Sequence, residues 1–313
     1  AMETNGATII YIAIRRGTKV PESGTEAFDI QSLNNAGPYS VGFPTDLLLL
    51  NITGGSSSNT YVGSRLTGGD KYLRTSSTAA EGTSSGIWSF DLQDSFTQNA
   101  SPSSPWLGYH WKRAPGFFDV VAYTGDGAST QDIKHNLGVA PEFIFLKSRN
   151  SSSTQWPSWH SGTPNHSRYL NLTSGGFQTA GGLPAYVGQN VTDTTFRVST
   201  DGSAGQSNGS SNTYIAYLFA SLPGISKAGS ASHSGTTNVD CDFTSGARFV
   251  LLKRTDASGD WYVWDSVRGI VSGNDPYLLL NSTAAQVTTT DYIDPLASGF
   301  TITSNFTAGD YIF

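Results

Sequence analysis

Three carboxylates cluster in one short stretch of the 313-residue chain, at Asp256, Asp260 and Asp265. Glycan hydrolysis needs two such groups, one to give a proton and one to act as nucleophile or base. Asp is also an ordinary turn cap, and the related stretches carry Asn150 and Thr154 in place of the first two and His160 or Ser161 near the third. Turn capping therefore outweighs catalysis, and no catalytic residue and no enzymatic activity is expected. Asp275, Asp291 and Asp294 lie in oxygen-rich loops that could hold Ca²⁺, a cation that prefers oxygen ligands; no other cofactor is expected. The five histidines fall at 110, 135, 160, 166 and 233, and the spacing of His160 and His166 matches no standard metal site. Cys241 reads as a small buried apolar side chain between the outward carboxylates Asp240 and Asp242. There is no Gly-x-Ser-x-Gly elbow, Walker loop or His-Glu-x-x-His, and Gly125-Asp126-Gly127 reads as a turn.

Binding chemistry is better supplied. The chain has 7 Trp and 14 Tyr among abundant Ser, Thr and Asn, flat faces and short hydroxyls of the kind that suit sugar rings. Neighbouring side chains on a strand point to opposite faces. In Trp156-Pro157-Ser158-Trp159 and Trp261-Tyr262-Val263-Trp264 alternation is therefore expected to leave some ring outside the core. Trp156, Trp159 and Tyr262, with Asp256 and Asp260, are the candidate ligand-binding residues. Core and inter-repeat packing is the competing role for the rings.

Composition narrows the function classes. With 18 Lys plus Arg and a net charge of -6, no clustered basic face for nucleic acid is expected. No apolar run reaches the 18–20 residues of a membrane helix, so membrane insertion is not expected. One Cys permits no intramolecular disulfide. Ser plus Thr number 76 and Gly 35, yet 12% of residues are aromatic, which separates the chain from disordered sequences. Ala1-Met2 has the form of what a tag-removing protease leaves, which predicts a piece of a longer protein.

The elements that must position these residues recur. Three segments begin with an apolar quartet, Leu47–Leu50, Phe143–Leu146 and Phe249–Leu252, preceded by Asp46, Glu142 and Arg248. Each continues into an aromatic strand and then a Tyr-Leu pair, at Tyr72-Leu73, Tyr169-Leu170 and Tyr277-Leu278. Trp106–Trp111 aligns without a gap to Tyr214–Phe219, and Tyr311-Ile312-Phe313 begins the same strand. Short strands with frequent turn signals predict an all-β chain of three tandem β-sandwich-like repeats of about 100 residues, with no substantial helix beyond one turn near Ser77–Glu81. The expected divisions are 1–17, 18–116, 117–224 and 225–313, the last ending within its final strand. Ile9–Ile14 reads as the closing strand of an upstream repeat or as a strand that closes the third unit. In the middle unit strands are expected at 119–123, 132–135, 142–147, 154–159, 169–172, 195–198 and 212–219.

These motifs resemble a known type. Trp111-Lys112-Arg113-Ala114-Pro115-Gly116-Phe117-Phe118-Asp119-Val120, Tyr123-Thr124-Gly125-Asp126-Gly127, His135–Glu142 and Lys253–Trp261 are similar to the tandem β-repeats of bacteriophage tail-fibre and virion-surface proteins of marine and cyanobacterial phages. So is the string from Trp264-Asp265-Ser266 to Ala285, whereas Asn51–Thr60 departs from the pattern. The resemblance implies an extracellular location on the virion surface, other virion or tail proteins as partners, and adhesion to a bacterial surface glycan or receptor through loop tips. A structural spacer is the alternative and a polysaccharide depolymerase the third reading. A homotrimer or a pseudo-threefold monomer would suit such a chain.

Overall fold

The computed structural model describes residues 18–54, 59–85, 87–99, 101, 103–174, 186–200 and 205–313. It is all-β: among the described residues the one helical element is a 3-10 turn at Gly24–Glu26. The expected turn at Ser77–Glu81 is not helical. Its backbone is engaged by the next unit instead: Trp156 Nε1 donates to the Ser77 carbonyl, Lys147 Nζ donates to that of Thr78, and the Glu81 amide donates to that of Arg149.

Each third of the chain builds one large and one small antiparallel sheet. In the first unit the large sheet runs Phe28–Leu33, Trp106–Trp111, Leu47–Ile52, Thr60–Ser64, Lys71–Arg74, Gly82–Thr83. In the second it runs Phe118–Thr124, Thr213–Phe219, Phe143–Ser148, Pro157–His160, Ser167–Tyr169. In the third it runs Ser230–His233, Gly309–Ile312, Phe249–Arg254, Trp261–Asp265, Leu278–Leu279. The closing strand thus lies between the first strand and the apolar quartet every time. Small three-stranded sheets, such as Thr130–Lys134, Thr195–Ser199 and Val187–Gln189, cover one face of each large sheet. Val187–Gln189 is the strand absent from the expected set. Ile9–Ile14 lies outside the described residues.

The apolar quartets are continuous because both faces of the strand are buried. In the second unit Ile144 and Leu146 face the small sheet, with Leu218, Phe196 and Val198, whereas Phe143 and Phe145 face the other way. Leu47 and Leu49 against Leu48 and Leu50 repeat this division, as do Phe249 and Leu251 against Val250 and Leu252. The second faces of all three large sheets meet in one core that joins Tyr109, Trp111, Phe143, Tyr217, Trp261 and Phe249. Trp111 packs edge-on against Phe249 of the third unit and Phe219 of the second, at 5.4 and 6.1 Å between ring centres.

That arrangement corrects the expectation of an exposed ring. Alternation does send Trp156 and Trp159 to opposite faces, but both faces are interior. Trp156 is 0% exposed in the shared core and Trp159 is 6% exposed under the small sheet. Gly188, at φ +88°, lets backbone lie on the Trp159 ring, where a Cβ would fall 2.1 Å from the indole. In the first unit Gly63 occupies the Trp159 position, and Trp88 fills the space from another strand. Register also moves the third motif: Val62 pairs Leu73, Ser158 pairs Arg168 and Val263 pairs Leu278. Ser167-Arg168, two residues before Tyr169-Leu170, is therefore the counterpart of the other Tyr-Leu pairs. A two-residue slip keeps the same face, which is why the sequence pattern tolerates it.

Candidate functional site

The units meet along three seams, and equivalent residues make the first two. The Trp156 indole N–H reaches the Arg74 carbonyl of the first unit (2.9 Å), and that of Trp261 reaches the Tyr169 carbonyl of the second (3.1 Å). Beside them Lys147 Nζ donates to the carbonyls of Thr78 (2.9 Å) and Thr154 (2.7 Å), and Lys253 Nζ donates to those of Thr173 and Gly259. Burial lowers both ammonium groups, Lys147 to about 7 and Lys253 to about 8. The third seam joins the last unit to the first: Arg248 binds the Phe28 carbonyl and Asp29 (3.2 Å each), and Tyr109 donates to Asp265 (2.9 Å), which also holds Arg268.

At the seam between the second and third units the surface opens into a cleft of about 370 Å³, lined by Gly162–His166, Arg168, Thr255, Asp256 and Asp310. The loop between strands Pro157–His160 and Ser167–Tyr169 forms one wall, with the ends of Phe249–Arg254 and Gly309–Ile312 opposite. Arg168 is 2% exposed and donates to Thr163 Oγ1 (2.7 Å). Asp256 lies in the fork of Arg254 (2.7 and 3.1 Å), whose guanidinium holds its carboxyl below the usual range. Asp310 accepts from Ser232 Oγ (2.6 Å), and the Asp310 carbonyl accepts from Thr255 Oγ1 (3.0 Å). Ser161 and Gly162 then border a second recess of about 620 Å³, floored by Lys227–Ser232, Thr237–Asp240 and Phe313.

His160 anchors this loop from beneath. Its Nδ1 accepts the Gly162 amide (2.9 Å), which leaves the proton on Nε2 to donate to the Phe313 carbonyl (3.0 Å). Burial lowers the ring to about 4, so it is neutral at physiological pH. Both nitrogens of His160 are therefore taken by backbone, and His160 and His166 do not form a metal pair.

Of the expected ligand-binding residues the cleft holds only Asp256. Asp260 accepts from Asn281 Nδ2 (2.7 Å), and Asn281 in turn caps the Trp261 amide, so this carboxylate braces the strand start. Tyr262 is half-buried, stacked on Trp264 (5.5 Å) and edge-on to Tyr277 (5.2 Å). The carboxylates weighed for hydrolysis do not share a groove: Asp265 is 0% exposed in the third seam, whereas Asp256 faces the cleft. A general acid needs a raised carboxyl pKa, and Asp256 is shifted the opposite way, which makes it an acceptor for hydroxyl or amide donors. Among the described residues no group of three or more His, Cys, Asp or Glu is arranged to hold a metal ion. Asn165, Arg168 and Asp310 escaped the sequence reading, and His166 was weighed there only as a metal ligand, because the cleft exists only where two units meet.

No curated protein and no solved structure matches the chain. Its sequence does match, over residues 108–313, the family described as Domain of unknown function (DUF7483), and since that match takes in most of its length the chain belongs to this family.

Proposed function

We propose that the chain is a non-enzymatic adhesive segment of a bacteriophage tail fibre or other virion-surface protein, exposed outside the cell, which contacts a bacterial surface glycan at the cleft between its second and third units. The observation that carries this reading is the lining of that cleft: Asn165, His166, Arg168, Asp256 and Asp310, with Thr163 and Thr255, set donors and acceptors around one opening. Sugar hydroxyls both give and accept hydrogen bonds, and a carboxylate held by Arg254 is pre-oriented to accept them. The resemblance to phage tail-fibre repeats supports the location.

A second reading, a virion spacer with no ligand of its own, has its own support. Trp156, Trp159, Trp261 and Trp264 are all buried in packing and not presented on the surface. A labelled chain on an array of bacterial surface polysaccharides, with cleavage followed in parallel, separates the readings. Adhesion predicts selective retention without cleavage, weakened at least tenfold by Asp256→Asn or His166→Ala. Retention unchanged in both variants removes the cleft from the reading, silence of the wild-type chain favours the spacer, and cleavage points to a depolymerase.

A further inference from the structure

Asp275 shares with Asp265 the lowest exposure of any carboxylate in the third unit, 0%. Its backbone amide donates to the Thr290 carbonyl (2.8 Å), which sets it against the segment that carries Asp291 and Asp294. One carboxylate oxygen, Oδ1, accepts the Val271 amide (2.8 Å), and the Ile293 amide also points at the group. The other oxygen, Oδ2, is buried and has no hydrogen-bond partner. Asp291 Oδ1, Asp294 Oδ1 and Thr290 Oγ1 are in the same condition. None of the three carboxylates belongs to an ion pair among the described residues, where nine are formed elsewhere.

Inward oxygens without donors and negative charge without a cation leave a deficit that buried groups do not sustain. A hard divalent cation corrects both faults at once, since it needs oxygen ligands and supplies the missing charge. Three carboxylates do not close around a point here, so the ligand set must be mixed. Ca²⁺ accepts such a set, six to eight oxygens drawn from carboxylate, hydroxyl and water in irregular geometry, whereas Mg²⁺ demands a near-ideal octahedron.

We propose that Asp275 Oδ2 and Asp291 Oδ1, with Thr290 Oγ1 and water, bind Ca²⁺ where the 271–275 loop crosses 290–294, and that Asp294 adds negative potential beside them. The cation would also pin the stacked pair Tyr277 and Tyr292, 5.7 Å apart, on which Tyr262 packs.

Those rings provide the test. Tb³⁺, which substitutes for Ca²⁺, should show luminescence sensitised by Tyr and Trp excitation in the EDTA-treated chain, and added Ca²⁺ should quench it by competition, with Mg²⁺ at least tenfold less effective. Asp275→Asn and Asp291→Asn should each weaken the signal at least tenfold. A replacement that disturbs folding will show in circular dichroism; the wild-type titration then decides alone. No sensitised signal and no calorimetric heat from the wild-type chain at millimolar Ca²⁺ would overturn the proposal, as would an unchanged signal in a folded Asp275→Asn, Asp291→Asn double variant.

Discussion

Replacing Trp156 tests whether the three units stand or fall together. The ring is 0% exposed in the shared core, and its N–H serves two carbonyls of the first unit, Arg74 (2.9 Å) and Ser77 (3.1 Å). A Trp side chain buries about 150–250 Å², which at about 25 cal/mol per Å² gives about 4–6 kcal/mol as an upper estimate. Trp→Ala changes in cores cost about 3–5 kcal/mol, so Trp156→Ala should cost about 4. Trp156→Phe keeps most of the apolar area but leaves the Ser77 carbonyl without its donor, whereas that of Arg74 still accepts the Ser77 amide, at about 1–3 kcal/mol. The thermal signature depends on what melts. Unfolding entropy of about 2.1 cal/mol/K per residue gives about 0.66 kcal/mol/K for the full chain but only about 0.2 for one unit. If the shared core couples the units, calorimetry of Trp156→Ala should show one transition lowered by about 6 °C. If they are independent, one part of the heat should move by nearly 20 °C while the rest stays in place. That second pattern would refute a common core.

Other perturbations bear on the seams. Both buried lysines have native pKa values below the unfolded 10.5, near 7 for Lys147 and 8 for Lys253, so the unfolded chain holds more protons between those values and 10.5. Stability should therefore rise with pH from about 7 towards 9.5 in urea titrations, and Lys147→Met should flatten that rise. His160 gives the acid-side counterpart: neutral in the fold down to about 4, it should make stability fall as pH drops from 6.5, a slope that His160→Gln should reduce. Asp265→Ala should cost about 3–5 kcal/mol by chemical denaturation, because Arg268 and the Tyr109 hydroxyl lose a buried acceptor. Light scattering should return a mass close to 33.2 kDa if the threefold arrangement is complete within one chain.

Much of the fold was legible because it depends on local pattern. The quartets Leu47–Leu50, Phe143–Leu146 and Phe249–Leu252 read as buried strands, and the gapless match of Trp106–Trp111 to Tyr214–Phe219 fixed which strands are equivalent, as their pairing with Leu47–Ile52 and Phe143–Ser148 confirms. The destination of the rings was not legible. An alternating strand with one wet face must expose something, but a strand between a small sheet and a neighbouring unit has no wet face, and sequence does not announce that neighbour. The cleft was hidden for the same reason, since Arg168 and Asp256 belong to different units and lie 88 positions apart. Asp265 shows the converse error: it looked like one of three similar turn carboxylates, yet its partner Tyr109 comes from the first unit.

The departures of the first unit have a physical logic. Register places Asn51 and Thr60 where the other units have Lys147 with Trp156 and Lys253 with Trp261. The Lys and Trp of those pairs each reach the unit before them in the chain, whereas in the first unit Thr60 donates to Asn51 within its own sheet. Contact with the last unit is made by other means: Thr75 Oγ1 donates to the Leu280 carbonyl, and the charged groups Arg248, Asp29, Arg268 and Asp265 supply the rest. The first two seams join units that are consecutive in the chain, whereas the third must bring together its two ends, so its closure bears a larger loop entropy. Partly buried ion pairs and charge-assisted hydrogen bonds impose geometry there as well as attraction. The third seam should accordingly be the first to open under high salt, because partly exposed pairs such as Arg248–Asp29 are screened while the Trp156 and Trp261 contacts are not.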